Sequence, residues 1–139
     1  MNMSDRTQPT IYPETQFYWE GAKQGKLLLN ACTPCGNKPF FPPRPFCPHC
    51  GSREVTVMQA SGRGALHSFV ISHLPAPGYE PPFTVAVVML EEGVKMLTNI
   101  MNCPPDPDHL ELDMPLELTF ETRGDLKIPQ FQPAKGGAA

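Results

Sequence analysis

Cys32-Thr33-Pro34-Cys35-Gly36 and Cys47-Pro48-His49-Cys50-Gly51 are two copies of one pattern, a thiol pair spaced by two residues and closed by glycine. A C-x-x-C loop turns both sulfurs toward one point. Two such loops can close a tetrahedral shell around a single ion. Glycine after the second cysteine permits a tight turn, which lets backbone N–H groups face the thiolates. Cys32, Cys35, Cys47 and Cys50 are therefore the expected metal ligands.

Composition narrows the rest. A chain of 139 residues, 40% of them hydrophobic, is the size of one compact domain or a small domain with a mini-module. The formal charge of −3 argues against unaided nucleic-acid binding, which usually needs a basic face. No window approaches the apolar length of a membrane span. Residues 1–10 are polar and hold no apolar signal-peptide core. A soluble cytoplasmic protein is expected, where thiols stay reduced and paired cysteines favour metal over disulfide. Cys103 has no nearby partner.

Eighteen prolines, clustered at 34–48, 75–82 and 104–107, withhold backbone donors and make ordered loops of those stretches. Long helices are not expected beyond about residue 25. The run Glu14–Gln24 behind Pro13 predicts a short helix stopped by Gly25. Its consecutive aromatics Phe17, Tyr18 and Trp19 cannot share one face. They either fold onto their own domain or dock a partner. Strands are expected at 27–31, 55–58, 66–72, 83–90, 94–101 and 116–121, with Glu91-Glu92-Gly93 as a hairpin turn. In the last, Leu116, Leu118 and Phe120 alternate with Glu117, Thr119 and Glu121. The segment 127–131 is expected to pack back. The fold class is mainly β. The expected domains are an N-terminal arm and helix over 1–26, with residues 1–12 a loose arm, a zinc ribbon over 27–55, a five-stranded OB-fold barrel over 56–132, and a flexible tail over 133–139.

Four thiolates at about 2.3 Å would leave no position for water, so the metal is structural rather than catalytic. Zinc is favoured because no redox partner site is evident, and iron stays open, since C-P-x-C-G loops also hold it. His49 reads as a solvent-facing loop residue. Cys103 could pair with His67, His73 or His109 as a nucleophile, but reads better as a small, partly buried hydrophobe. Asp106 and Asp108 are expected to be solvated turn residues. Arg63, between two glycines, could reach a phosphate, although an exposed turn arginine is the commoner outcome. The stiff loop 73–82, with Tyr79 near its tip, could wall a groove, seat a partner or simply cover the surface. No nucleophile elbow, P-loop or dinucleotide fingerprint is present.

The order Phe17-Tyr18-Trp19-Glu20-Gly21, C-T-P-C-G, Phe41-Pro42-Pro43-Arg44, C-P-H-C-G-S, Ser61-Gly62-Arg63-Gly64 and Leu97-Thr98-Asn99 resembles the acyl-CoA-associated family that joins a rubredoxin-like zinc ribbon to an OB-fold. That family was long catalogued as a domain of unknown function. The resemblance covers nearly all of residues 14–133. It implies a small non-catalytic partner of a thiolase-superfamily enzyme: a thiolase, a retro-aldolase, a hydroxymethylglutaryl-CoA synthase or an acyltransferase. It implies a hetero-oligomer in which the barrel sits beside the partner's active site and helps hold acyl-CoA. It matches Cys32, Cys35, Cys47 and Cys50 to the metal ligands. Arg44, Arg63 and Asn99 match recurrent family positions and, with Tyr79, are the candidate CoA or partner contacts. Phe17, Tyr18 and Trp19 are the candidate docking residues. The rival is a single-stranded nucleic-acid-binding OB-fold protein, which the negative charge opposes.

Overall fold

A computed structural model describes residues 6–135. Pro13–Thr15 form a turn of 3-10 helix that runs into α1, Gln16–Lys23. Three short strands follow: β1 (Leu28–Cys32), β2 (Lys38–Phe40) and β3 (Val55–Gln59), in the antiparallel order β2-β1-β3. Five longer ones complete the chain: β4 (Arg63–Ser72), β5 (Phe83–Leu90), β6 (Lys95–Asn99), β7 (Pro115–Arg123) and β8 (Leu126–Pro133). Their sheet order is β6-β5-β4-β7-β8. A parallel bridge between Ile100 and Phe131 brings the two edges together, with the Met101 N–H donating to the Phe131 carbonyl at 2.7 Å. The result is a nearly closed OB-fold barrel beside a metal ribbon, with one short helix.

Closure depends on β4, which pairs with β5 along most of its length and with β7 through Arg63–Ala65. A register shift between Leu66 and Ser68 bends it, as an extra residue in one strand does. Gly64 stands where the pairings cross, opposite Leu90 on one side and Leu116 on the other. A Cβ there would lie 2.7 Å from Val88 Cγ1 and 2.8 Å from the Met89 carbonyl oxygen. Gly64→Ala should therefore cost about 1–3 kcal/mol, read as a lower urea midpoint. An unchanged midpoint would mean that the crossing is not tightly packed.

Strand alternation supplies the core. In β5, Thr84, Ala86, Val88 and Leu90 are buried while Phe83, Val85, Val87 and Met89 are half-buried. Leu66, Val88, Leu116 and Phe131 fill the barrel, and Leu27 and Leu29 from the ribbon side join the same cluster. The tip of the ribbon has its own small cluster of Cys32, Phe40 and Cys47.

Val55–Gln59 pairs with β1 in the ribbon sheet. Three expectations are corrected. The fifth barrel strand is β8, paired with β7 from Leu116↔Pro133 to Arg123↔Leu126, and not a segment that merely packs back. Pro133 therefore belongs to a strand and not to a tail, and residues 136–139 lie outside the described ones. The arm expected to be loose is held from Arg6 onward, by contacts described below. Among the described residues no helix is long and apolar enough to cross a membrane.

Candidate functional site

The two cysteine loops stand at the ribbon tip because β1 ends in Cys32 and the chain returns through β2. Gly36 and Gly51 close them at φ +72° and +77°, a region costly for any residue with a Cβ. The turn aims the His49 N–H at the Cys47 sulfur, 3.3 Å away. All four Sγ atoms lie within 4.8 Å of one another, and Cys32 and Cys50 are 3.6 Å apart. Sulfurs on a tetrahedron with arms of about 2.3 Å would be about 3.8 Å apart, so the tetrad fits one such ion. Burial pushes the Cys32 thiol up to about 12. At Cys47 burial also opposes ionisation, but the backbone N–H groups of Cys50 and His49 outweigh it and bring the thiol down to about 6. Four sulfurs gathered this closely form a soft donor set that, as thiolates, suits zinc or iron.

A groove of about 440 Å³ opens where α1, the ribbon and the barrel meet. Its walls include Tyr18, Trp19, Phe41, Phe83, Val85 and Leu97. The Tyr18 ring meets Trp19 edge-on at 4.8 Å and Phe41 at 5.8 Å. Its polar side is built from Tyr79, Asn99, Arg123 and Gln130. These residues are tied to Glu121, whose side chain is wholly inaccessible. Glu121 accepts from Arg6 Nη1 at 2.7 Å, Arg123 Nε at 2.9 Å and Gln130 Nε2 at 3.0 Å. Arg123 Nη2 donates to the Tyr79 hydroxyl at 3.0 Å, which in turn donates to Asn99 Oδ1 at 3.2 Å. Gln130 Oε1 accepts from Thr98 Oγ1 at 2.7 Å and from the Asn99 N–H at 2.8 Å. Burial raises the Glu121 carboxyl, but Arg123, Gln130 and Arg6 together hold it below the usual carboxylate range.

The N-terminal arm seals this network. Arg6 stacks 3.7 Å above the Tyr79 ring and donates to the Gly78 carbonyl at 3.1 Å, while Arg123 Nη1 reaches the Thr7 carbonyl at 2.8 Å. Tyr79 and the loop that carries it are thereby fixed as a groove wall. The groove is apolar, with polar groups committed to one another.

The structure gathers only some of the candidate residues here. Tyr79, Asn99, Tyr18 and Trp19 line the groove. Tyr18 is only 5% exposed, a core residue rather than a free docking surface, and Phe17 is half-buried against the same core. Arg44 stays at the ribbon, its N–H donating to Asn30 Oδ1 at 3.1 Å. Arg63 is exposed and pairs with Glu91 at 2.7 Å on the β5–β6 hairpin. The Cys103 sulfur faces the carbonyl oxygens of Pro104 and His109, both at 3.7 Å, and burial raises its thiol. His109 Nδ1 meets Asp106 Oδ1 at 2.7 Å, and His67 and His73 are exposed. Among the described residues no nucleophile–base pair is assembled at Cys103. Arg6, Glu121, Arg123 and Gln130 were not anticipated. The available signal was Glu121 and Arg123 two apart on a strand, which puts opposite charges side by side on one face.

Comparison with known families assigns residues 19–56 to the ChsH2 rubredoxin-like zinc ribbon domain and residues 58–121 to the ChsH2 C-terminal OB-fold domain. The chain belongs to the ChsH2 family. The probable enoyl-CoA hydratase alpha subunit of Thermomonospora curvata is 37% identical over 93% of this chain and 40% of its own length. This chain thus spans well under half of that relative. A DUF35 domain-containing scaffold protein of Methanothermobacter thermautotrophicus is 36% identical over 77% of this chain and 81% of the relative. The benzoylsuccinyl-CoA thiolase subunit BbsA of Thauera aromatica is 29% identical over 68% of this chain and 62% of the relative. A solved structure described as the Ltp2-ChsH2(DUF35) aldolase superposes with a TM-score of 0.79 at 37% identity, covering 91% of this chain and 98% of that one.

Proposed function

We propose that this ChsH2-type chain is a non-catalytic accessory subunit of an acyl-CoA enzyme of the thiolase superfamily, a thiolase or a thiolase-like aldolase or acyltransferase. The observation that carries the reading is the match across 98% of a chain in the Ltp2-ChsH2(DUF35) aldolase structure. The relatives' names, a CoA hydratase subunit, a CoA thiolase subunit and a scaffold protein, support it. So does the site: an apolar groove whose polar groups are occupied, with no poised nucleophile at Cys103.

Zinc, held by Cys32, Cys35, Cys47 and Cys50, supplies shape rather than chemistry, because four thiolates leave no open position. The ribbon and α1 meet the partner enzyme, and the barrel lends a wall to its acyl-CoA channel. The reacting groups belong to the partner. Nucleic-acid binding fits less well, since Arg6 and Arg123, the arginines nearest the groove, are both spent on Glu121.

Co-expression with a thiolase-fold acyl-CoA enzyme from the same organism is the test. The two should co-elute in size-exclusion chromatography, and the enzyme should lose most of its turnover when this chain is omitted. A monomeric chain beside a fully active enzyme would end the reading.

A further inference from the structure

β4 pairs with β5 from Gly64 to Ser72 but with β7 only from Arg63 to Ala65. On the β7 side, Asp113 and Met114 still bond the backbone of Leu66. Beyond Leu66 that edge has no backbone partner among the described residues. It runs on to Pro75, which has no N–H to offer. The register shift sits at the margin, between Leu66 and Ser68, so Ser68–Ser72 is a regular strand with one side open.

Sheet edges are normally blunted by charge, proline or a cover. This one carries none of the first two. From Gly64 to Tyr79 the chain holds no Lys, Arg, Asp or Glu. Phe69 and Ile71 pack on the core, whereas Val70 is 62% exposed. The opening reads His67-Ser68-Phe69-Val70-Ile71-Ser72-His73, and its side-chain types run in the same order from either end: imidazole, hydroxyl, apolar, valine, apolar, hydroxyl, imidazole. A segment with that symmetry is its own complement in an antiparallel pairing. A twofold axis at Val70 sets Ser68 opposite Ser72 and Phe69 opposite Ile71 of a second copy, with His67 level with His73.

We propose that β4 is a homodimerisation edge, at which Ser68–Ser72 adds antiparallel to the same segment of a second copy of this chain. The inference goes beyond the subunit reading and does not depend on it. Val70 meets Val70 across the axis, a β-branched cross-strand pair. Leu74, 76% exposed and next to His73, then reaches the groove of about 770 Å³ that His67, Phe69, Leu110 and Leu112 border on the other copy. Glu111, which also borders the groove, and Asp113, bonded to Leu66 through its N–H, are exposed carboxylates at one end of the opening. The segment they meet is uncharged. The two grooves stand at opposite ends of the pairing, about 20 Å apart, so the carboxylates of the two copies do not oppose each other.

The metal-loaded full chain is run at rising concentration by size-exclusion chromatography with light scattering, and should pass from one chain mass to two. Val70→Lys and Val70→Glu each change an exposed side chain, and circular dichroism and metal content should match the parent. Each puts like charges face to face at the axis and should weaken the dimer by about tenfold or more. An equal mixture of the two variants should recover the dimer, one lysine facing one glutamate. A fold merely loosened by substitution would show no such recovery.

A parent that stays monomeric at its highest soluble concentration would overturn the inference. So would variants that dimerise as the parent does, or a mixture that fails to recover. If the parent is monomeric and Val70→Lys abolishes co-elution with the thiolase-fold enzyme, the edge belongs to that enzyme and the second copy is excluded. Dimerisation of a parent that never co-elutes with the enzyme would keep this inference and end the subunit assignment.

Discussion

Cys47→Ser should release the metal and unfold the ribbon. Cys47 is 1% exposed and packs with Cys32 and Phe40 in a cluster too small to hold three short strands by burial alone. Metal binding supplies about 10 kcal/mol or more in modules of this size. A serine hydroxyl is a far poorer ligand than thiolate, so most of that contribution is lost. The damage should reach the groove, because Phe41 follows β2 and forms part of its wall. Elemental analysis should find zinc in the parent and little metal in the variant. Circular dichroism should show lost structure, reproduced in the parent by a strong chelator. A variant that keeps one metal per chain and the parent's melting temperature would disprove the structural role.

Glu121→Gln is expected to cost on the order of 3 kcal/mol at neutral pH, because it strands buried guanidinium groups while keeping the shape. Arg123 and Arg6 have side chains only 11% and 13% exposed, so water replaces little of what they lose. The pH dependence has a definite sign. Burial works against the Glu121 charge, but Arg123, Gln130 and Arg6 depress its folded-state value. A depressed carboxylate contributes fully above its unfolded value of about 4.3, and that contribution is lost as pH falls through the lower folded value. Urea denaturation should therefore show parent stability falling through the acid range and a flatter profile in the variant. The Arg6 arm, no longer anchored to a carboxylate, should also become sensitive to protease near Gly78 and Tyr79. Equal stability at neutral pH, or parallel acid profiles, would refute the account.

The metal ligands were legible because spacing alone determines where four sulfurs can meet. The β5–β6 hairpin was legible for a similar reason, since local alternation and one glycine specify it. Membership of a sheet was not, because pairing is a long-range choice. Val55–Gln59 has the same strand character whether it joins β1 or a barrel neighbour, and only the register Leu28↔Gln59 decides. The β8 strand was hidden by Pro129 and Pro133, residues that usually disfavour strands but are tolerated at sheet edges.

The polar network was hidden by a change of covered face along β7. Leu116 and Leu118 face one way and Glu121 and Arg123 the other, as period two requires. Alternation alone marks two faces and does not say what covers the charged one. In the structure the end of that face lies under Arg6, Thr7 and Tyr79, all distant in the chain. No local pattern could report such a cover.

Leu27 and Leu29 share one apolar interior with Leu66, Val88 and Phe131. There is consequently no mechanical seam at residue 57, where the ribbon and barrel descriptions meet. Cutting there would open a hole in one half and bare leucines on the other. A change at the four-cysteine tip would thus be felt along β1 in the barrel wall, and an ion held there would be a strut for the whole molecule rather than ballast for an appendage.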